Sequence, residues 1–267
     1  MRRSPLGPLF GLLIAAVTLP AASLSVAPAL AQQAQLPPLK PPPPPPIRPY
    51  QPVTVTPPAP FNDASFVAFR KQLADVAAHK DRAALANLVV TQNFFWVQDK
   101  DLADKSKSGI DNLAKAIALD AKDGSGWDTV AGAAGEPSAM GIPQQKGVFC
   151  APAIPAVDQN AFQALTNATG TELPEWGYPN NGGLDVHATA QPSSPVVEKV
   201  GMVLVHVLPD SGSEPNQPLV LHIATPSGKA GYIDAQTLSP LISDQMCYTK
   251  DTGGWKIAGY VGGVSPQ

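Results

Sequence analysis

Charge is scarce in this chain of 267 residues: 15% of it is Asp, Glu, Lys or Arg, and 21 acids against 18 bases give a formal net charge of −3. No run of basic residues is present, the lysines and arginines standing among acids, which argues against nucleic acid as a partner. Histidine occurs four times and cysteine twice. GxSxG, HExxH and phosphate-binding glycine loops are missing. The glycines of GGLD, TGGW and VGGV read as turn residues instead. No segment after the N-terminus is apolar for long enough to cross a bilayer.

What is present begins with an export signal. Arg2 and Arg3 precede an apolar stretch at 9–19 that is short for a membrane span, and Ala29-Leu30-Ala31 is a small-x-small cleavage site. Cutting after Ala31 removes two positive charges and no acid, and predicts a periplasmic or secreted product with no integral membrane span. The alternative keeps the apolar stretch as an uncleaved anchor. Neither cysteine lies near the cut, so the lipoprotein acceptor is lacking.

Residues 32–60 form a proline-rich stretch, PPLKPPPPPPIRPYQPVTVTPPAP from position 37 onwards. Fixed φ and deleted donors make it a disordered, polyproline-like linker reaching about 70 Å, or a docking peptide for a proline-binding groove. A helical block follows. Asp63 caps a first helix whose Phe66, Phe69, Leu73, Val76 and Ala77 share a face; Asp81 caps a second, with Leu85, Leu88 and Val89. The aromatic run NFFWVQ at 93–98 is strand-like. Ser108 caps a third helix, and a fourth starts at Ser125 with Trp127, Val130, Ala131 and Ala134 inward, Gly135 ending it.

Residues 136–183 are rich in Pro, Gly, Asn and Ala and read as an ordered loop with one short helix near 161–166. Such a loop needs a pin, and two cysteines in an exported chain favour a Cys150–Cys247 disulfide over free thiols. Closing roughly 100 residues stabilises by roughly 4 to 5 kcal/mol in the chain-entropy model. A redox thiol would be the rival reading, with no CxxC to support it.

Short strands dominate 184–241. Leu184, Val186 and Ala188 alternate with polar residues, a turn runs from Gln191 to Pro195, and Val196-Val197 starts the next strand. MVLVHVL at 202–208, LVLHIA at 219–224 and GYID at 231–234 follow, five strands that suggest a small barrel. The LDVH start, the Pro/Ser loop, the Val196-Val197 pair and the closing Gly231-Tyr232-Ile233 resemble a bacterial SH3-like domain. His187 stands where that family commonly has Arg, and Tyr232 where it has Trp. The resemblance implies recognition of a cell-wall peptide or peptidoglycan.

The tail at 242–267 reads as a hairpin, MCYTK and WKIAGYV around a DTGG turn. Lone hairpins are marginal, so it is expected to return and pair with 93–98. The fold class is therefore α+β: an N-terminal helical domain (61–183) whose small sheet the C-terminal hairpin completes, with the SH3-like barrel (184–241) inserted. The layout resembles exported bacterial SH3-domain-containing proteins.

Candidate binding residues are Tyr232, Trp176, Tyr178 and His187, the aromatic surfaces and loop mouth of such a barrel. Glu172 and Glu175 beside Trp176 raise a carbohydrate-active site, against which stands a loop whose rings fold onto the barrel. His187, His206 and His222 would make a metal site only if all faced one side. The expected function is a non-catalytic binding module for a cell-wall peptide or envelope protein, with no cofactor and no metal. Its alternative is an interaction protein using the helical domain, and a carbohydrate-active enzyme is a distant third.

Overall fold

The computed structural model describes residues 47–143, 145–191, 193–209 and 219–262. The expected signal peptide and residues 32–46 of the expected linker lie outside them. In chain order the described residues form β1 (Val55–Thr56), α1 (Ala64–His79), α2 (Arg82–Asn87), β2 (Phe95–Val97), α3 (Gly109–Ala116), α4 (Ser125–Gly135), β3 (Met140–Gly141), β4 (Val148–Ala151), β5 (Ala156–Val157) and α5 (Gln159–Thr169). There follow β6 (Trp176–Pro179), β7 (Leu184–His187), β8 (Val196–Val200), β9 (Val205–Val207), β10 (Val220–Ala224), β11 (Ala230–Asp234), β12 (Leu238–Pro240), β13 (Gln245–Asp251) and β14 (Gly254–Val261). The class is mixed α+β.

Short polar side chains set the helix starts. Asp63 accepts from the N–H groups of Ser65 (2.8 Å) and Phe66 (3.0 Å), Asp81 from Ala84 (2.9 Å), Ser108 from Asp111 (3.3 Å) and Asp158 from Ala161 (2.9 Å). Each satisfies a backbone donor that the first helical turn leaves orphaned. The expected face of α1 is the buried one, Phe66, Phe69, Leu73, Val76 and Ala77. In α4 the face differs from expectation: Gly126, Val130 and Ala134 are buried and Ala131 is exposed. Gly126 permits a close approach on this face, because a Cβ there would fall 2.4 Å from Leu119 Cα in the turn after α3.

These helices cover a five-stranded sheet of order β2-β14-β13-β4-β3. The C-terminal hairpin does return to the aromatic strand, β14 lying parallel to β2 with Gly259 opposite Phe95. Phe66, Trp96, Tyr248, Trp255 and Ile257 meet in the core beneath. Cys150 and Cys247 lie directly opposite each other on β4 and β13, joined by a disulfide across a sequence separation of 97, with no exposure. Strand β4 was not expected. Its four residues are too few to show alternation, and Pro and Gly neighbours made the region read as loop. Helix α5 is also longer than expected, at 11 residues.

A second sheet has the order β12-β6-β9-β10-β11-β7-β8. Its edge strands β12 and β8 do not pair, so no closed barrel is found among the described residues. It curls enough for Val186, Val200, Ile223, Ile233 and Leu238 to form one core on its inner face. At the β6–β9 end the other face carries Trp176, Tyr178 and Leu204 under Leu165 of α5.

Residues 47–60 correct the expectation of a free linker. Tyr50 N donates to Pro226 O (3.0 Å) and its hydroxyl to Ala224 O (3.0 Å), Val53 O accepts from Leu204 N (2.9 Å), and Val55 N donates to Met202 O (3.0 Å). Val53 and Val55, two apart and so on one side of an extended chain, are 3% and 2% exposed. Extended backbone keeps its carbonyls and remaining N–H groups free for such pairing. The same contacts shorten the expected strand 202–208 to β9, since residues 202–204 face this strap. Among the described residues no helix is long and apolar enough to cross a membrane.

Candidate functional site: a histidine–tyrosine row

Strands β10, β11, β7 and β8 lie side by side, and their registers put His222 opposite Tyr232, Tyr232 opposite His187, and His187 opposite Val196. Directly opposed residues share a face. Ile223, Ile233 and Val186 alternate with this row and take the inner core, so the row stands on the outer face. At about 4.8 Å per strand it spans about 14 Å.

The two rings His222 and Tyr232 are stacked, centroids 4.5 Å apart and planes 9° from parallel. Tyr232 and His187 are half-buried, and Val196 is 43% exposed. His187 Nδ1 lies 2.7 Å from the carbonyl oxygen of Ser194. A carbonyl only accepts, so Nδ1 carries the proton and the neutral ring keeps Nε2 as an acceptor. Gly231 makes the row possible. A Cβ there would meet Val186 Cγ1 at 2.5 Å and His187 O at 2.6 Å, so any side chain would push β7 off β11.

The other expected binding aromatics are placed differently. Trp176 is fully buried, its Nε1 donating to Thr171 Oγ1 (2.9 Å) and its ring edge-on to Tyr50 at 5.3 Å. Tyr178 is 7% exposed. Both rings are needed to fill the space under α5 and the strap, which is why neither joins Tyr232 in a surface. Glu175 accepts from Glu172 N and lies 3.2 Å from His206 Nε2. The Glu172 N–H, ahead of His206, holds the Glu175 carboxyl below its usual value. Glu172 and Glu175 thus form a local cap rather than flanking a cleft.

His206 stands on the same outer face, opposite Ala224 and so one step along from His222, but it is engaged by Glu175 and by the Trp176 ring at 5.3 Å rather than by the row. Among the described residues no group of three His, Cys, Asp or Glu side chains could hold a metal ion. Cys150 and Cys247 are interior and structural. The residue that sequence reasoning left out of the binding set is His222. LVLHIA shows that it alternates with apolar residues, but its pairing with Tyr232 depends on strand register, which the turn at 225–229 fixes only in the folded sheet.

Comparisons with protein-family models, with curated proteins and with solved structures return no match.

Proposed function

We propose that the chain is a non-catalytic binding module of the bacterial envelope, exported to the periplasm. Its seven-stranded sheet serves as an SH3-like element that holds an extended cell-wall peptide, or an envelope-protein segment of the same chemistry, across Tyr232. The observation that carries this reading is the row itself. A stacked imidazole and phenol, with a second imidazole presenting an acceptor, offers a peptide a ring edge to pack on and a partner for its N–H groups. Aromatic anchors of this kind dominate peptide interfaces. The Cys150–Cys247 disulfide supports an oxidising compartment.

Co-sedimentation of the full chain with purified peptidoglycan sacculi tests it. Wild type sediments with the sacculi, and Tyr232→Ala weakens binding by about 30-fold, the equivalent of about 2 kcal/mol, while the melting temperature stays close to wild type. Equal sedimentation of the two proteins removes the row from the function. Capture of an envelope protein but not of sacculi selects the protein segment as ligand.

A further inference from the structure

A cleft of about 660 Å³ lies between the two sheets, walled by Pro152, Ile154 and Pro155 after β4, by Pro57 of the strap and by Ile242 after β12, with Tyr178 among its lining. That volume is in the range of small-ligand sites, which favour such junctions. Its walls are pinned before any ligand arrives. Gln245 Nε2 donates to Pro152 O (2.6 Å), Ala153 N to Ser138 Oγ (3.0 Å) and Leu241 N to Trp176 O (2.8 Å). Ile154 and Ile242 are nevertheless 57% and 47% exposed, so the fold itself leaves apolar wall uncovered there.

The electrostatics of the lining have one sign. Among the described residues Glu136 is its sole acid, and no Lys, Arg or His among them lines the cleft. One Glu136 oxygen, Oε1, accepts from both Ser138 N (2.8 Å) and Ser138 Oγ (2.5 Å). The second, Oε2, has no partner among the described residues. Arg70, partly buried, is a nearby cation among the described residues; it donates to the backbone carbonyl of Glu136 and lies over the Phe66 ring. It offsets part of the negative potential without entering the cleft. Burial pushes the Tyr178 hydroxyl up, its bond to Ser239 opposes that, and the Glu136 charge adds to the rise, so carboxylate and phenol act on the same volume.

We infer that this cleft binds a primary alkylammonium group, its chain on the proline and isoleucine walls and its charge between Glu136 and the Tyr178 ring. A carboxylate and an aromatic ring both favour a cation, whereas an anion would be held against Glu136 with no compensating base. A free alkylamine and the side-chain amine of a peptide share this chemistry. The site is independent of the histidine–tyrosine row.

Titration of the full chain at pH 7 with n-hexylammonium, n-hexanol and hexanoate, followed by amide chemical shifts and calorimetry, decides the matter. Hexylammonium binds saturably with shifts confined to residues such as Ser138, Ile154, Asn180 and Ile242, and the alcohol and the acid bind at least about 10-fold more weakly. Glu136→Gln, which keeps an acceptor for Ser138, loses about 10-fold for hexylammonium only. Should that variant melt early, the three-probe comparison on wild type stands alone. Equal affinity for hexanol, or shifts spread elsewhere, overturns the assignment. Nα-acetyl-lysine methylamide against 1,5-diaminopentane then separates a peptide amine from a free one.

Discussion

The five-stranded block keeps its rings inside, whereas the seven-stranded sheet presents one of its own on the outer face. In the first, Phe66 touches the rings of Phe61, Phe69, Tyr248 and Trp255, with centroids 4.9 to 6.2 Å apart, under a helical layer and beside a disulfide. In the second, one helix and an extended strap cover part of one face, and the sheet curls over the other. Packing accounts for nearly every large side chain in the first block. It does not account for Tyr232 in the second, where an aromatic stands on the outer face between two histidines. The contrast separates residues that the fold requires from residues that the fold merely carries, and the second group is where recognition is to be sought.

The largest test of this contrast is the disulfide, which belongs to the first block alone. Cys150→Ala with Cys247→Ala is expected to cost about 2 to 5 kcal/mol, read by denaturant unfolding. Hydrogen exchange should quicken most in β4, β13 and β14. If β7, β10 and β11 lose protection equally, the two sheets unfold as one cooperative unit and the comparison fails. A smaller effect tests the other side. Val53→Ala removes buried methyls from the strap at a cost of about 2 kcal/mol, and exchange should quicken first near Leu204 and Trp176. Unchanged stability would mean that the strap lies on the sheet without supporting it.

The legible parts of this fold are those in which a local rule and the tertiary outcome agree. The caps at Asp63, Asp81 and Ser108, the face of α1 and the return of the hairpin follow from single residues or from an orphaned strand needing a partner. Proline content misled at 47–60, because composition reports that a segment lacks donors and says nothing of which edge will use its carbonyls; Val53 and Val55, two apart, were the available signal. The four residues of β4 carried no period. At the candidate site, Tyr232 and His187 were visible as strand residues, but that Tyr232 stays only half-buried while Trp176 and Tyr178 are buried depends on α5 and the strap covering one end of the sheet. His222 required a register that no spacing in the chain reveals.

The smallest expected effect concerns the cap of α1 in the first block. Asp63 accepts from Ser65 Oγ and from the N–H groups of Phe66 and Ser65, and these bonds, the Ser65 hydroxyl foremost, bring its carboxyl down to about 2. The unfolded chain holds its proton to higher pH, near the ordinary Asp value of about 3.9. Between the two the unfolded state binds more protons, so the contribution is fully present above pH ~4 and is lost as pH falls towards ~2. Asp63→Asn retains an acceptor for the helix but cannot ionise. The melting temperature of wild type should therefore exceed that of the variant at pH 5, and the gap should close on acidification to pH 2. The Lys250 ammonium, 3.4 Å from Asp63 Oδ2, adds a salt-sensitive part to the gap. A difference that stays constant across pH 5 to 2 would show that the charge of Asp63 contributes nothing to holding α1 against the hairpin.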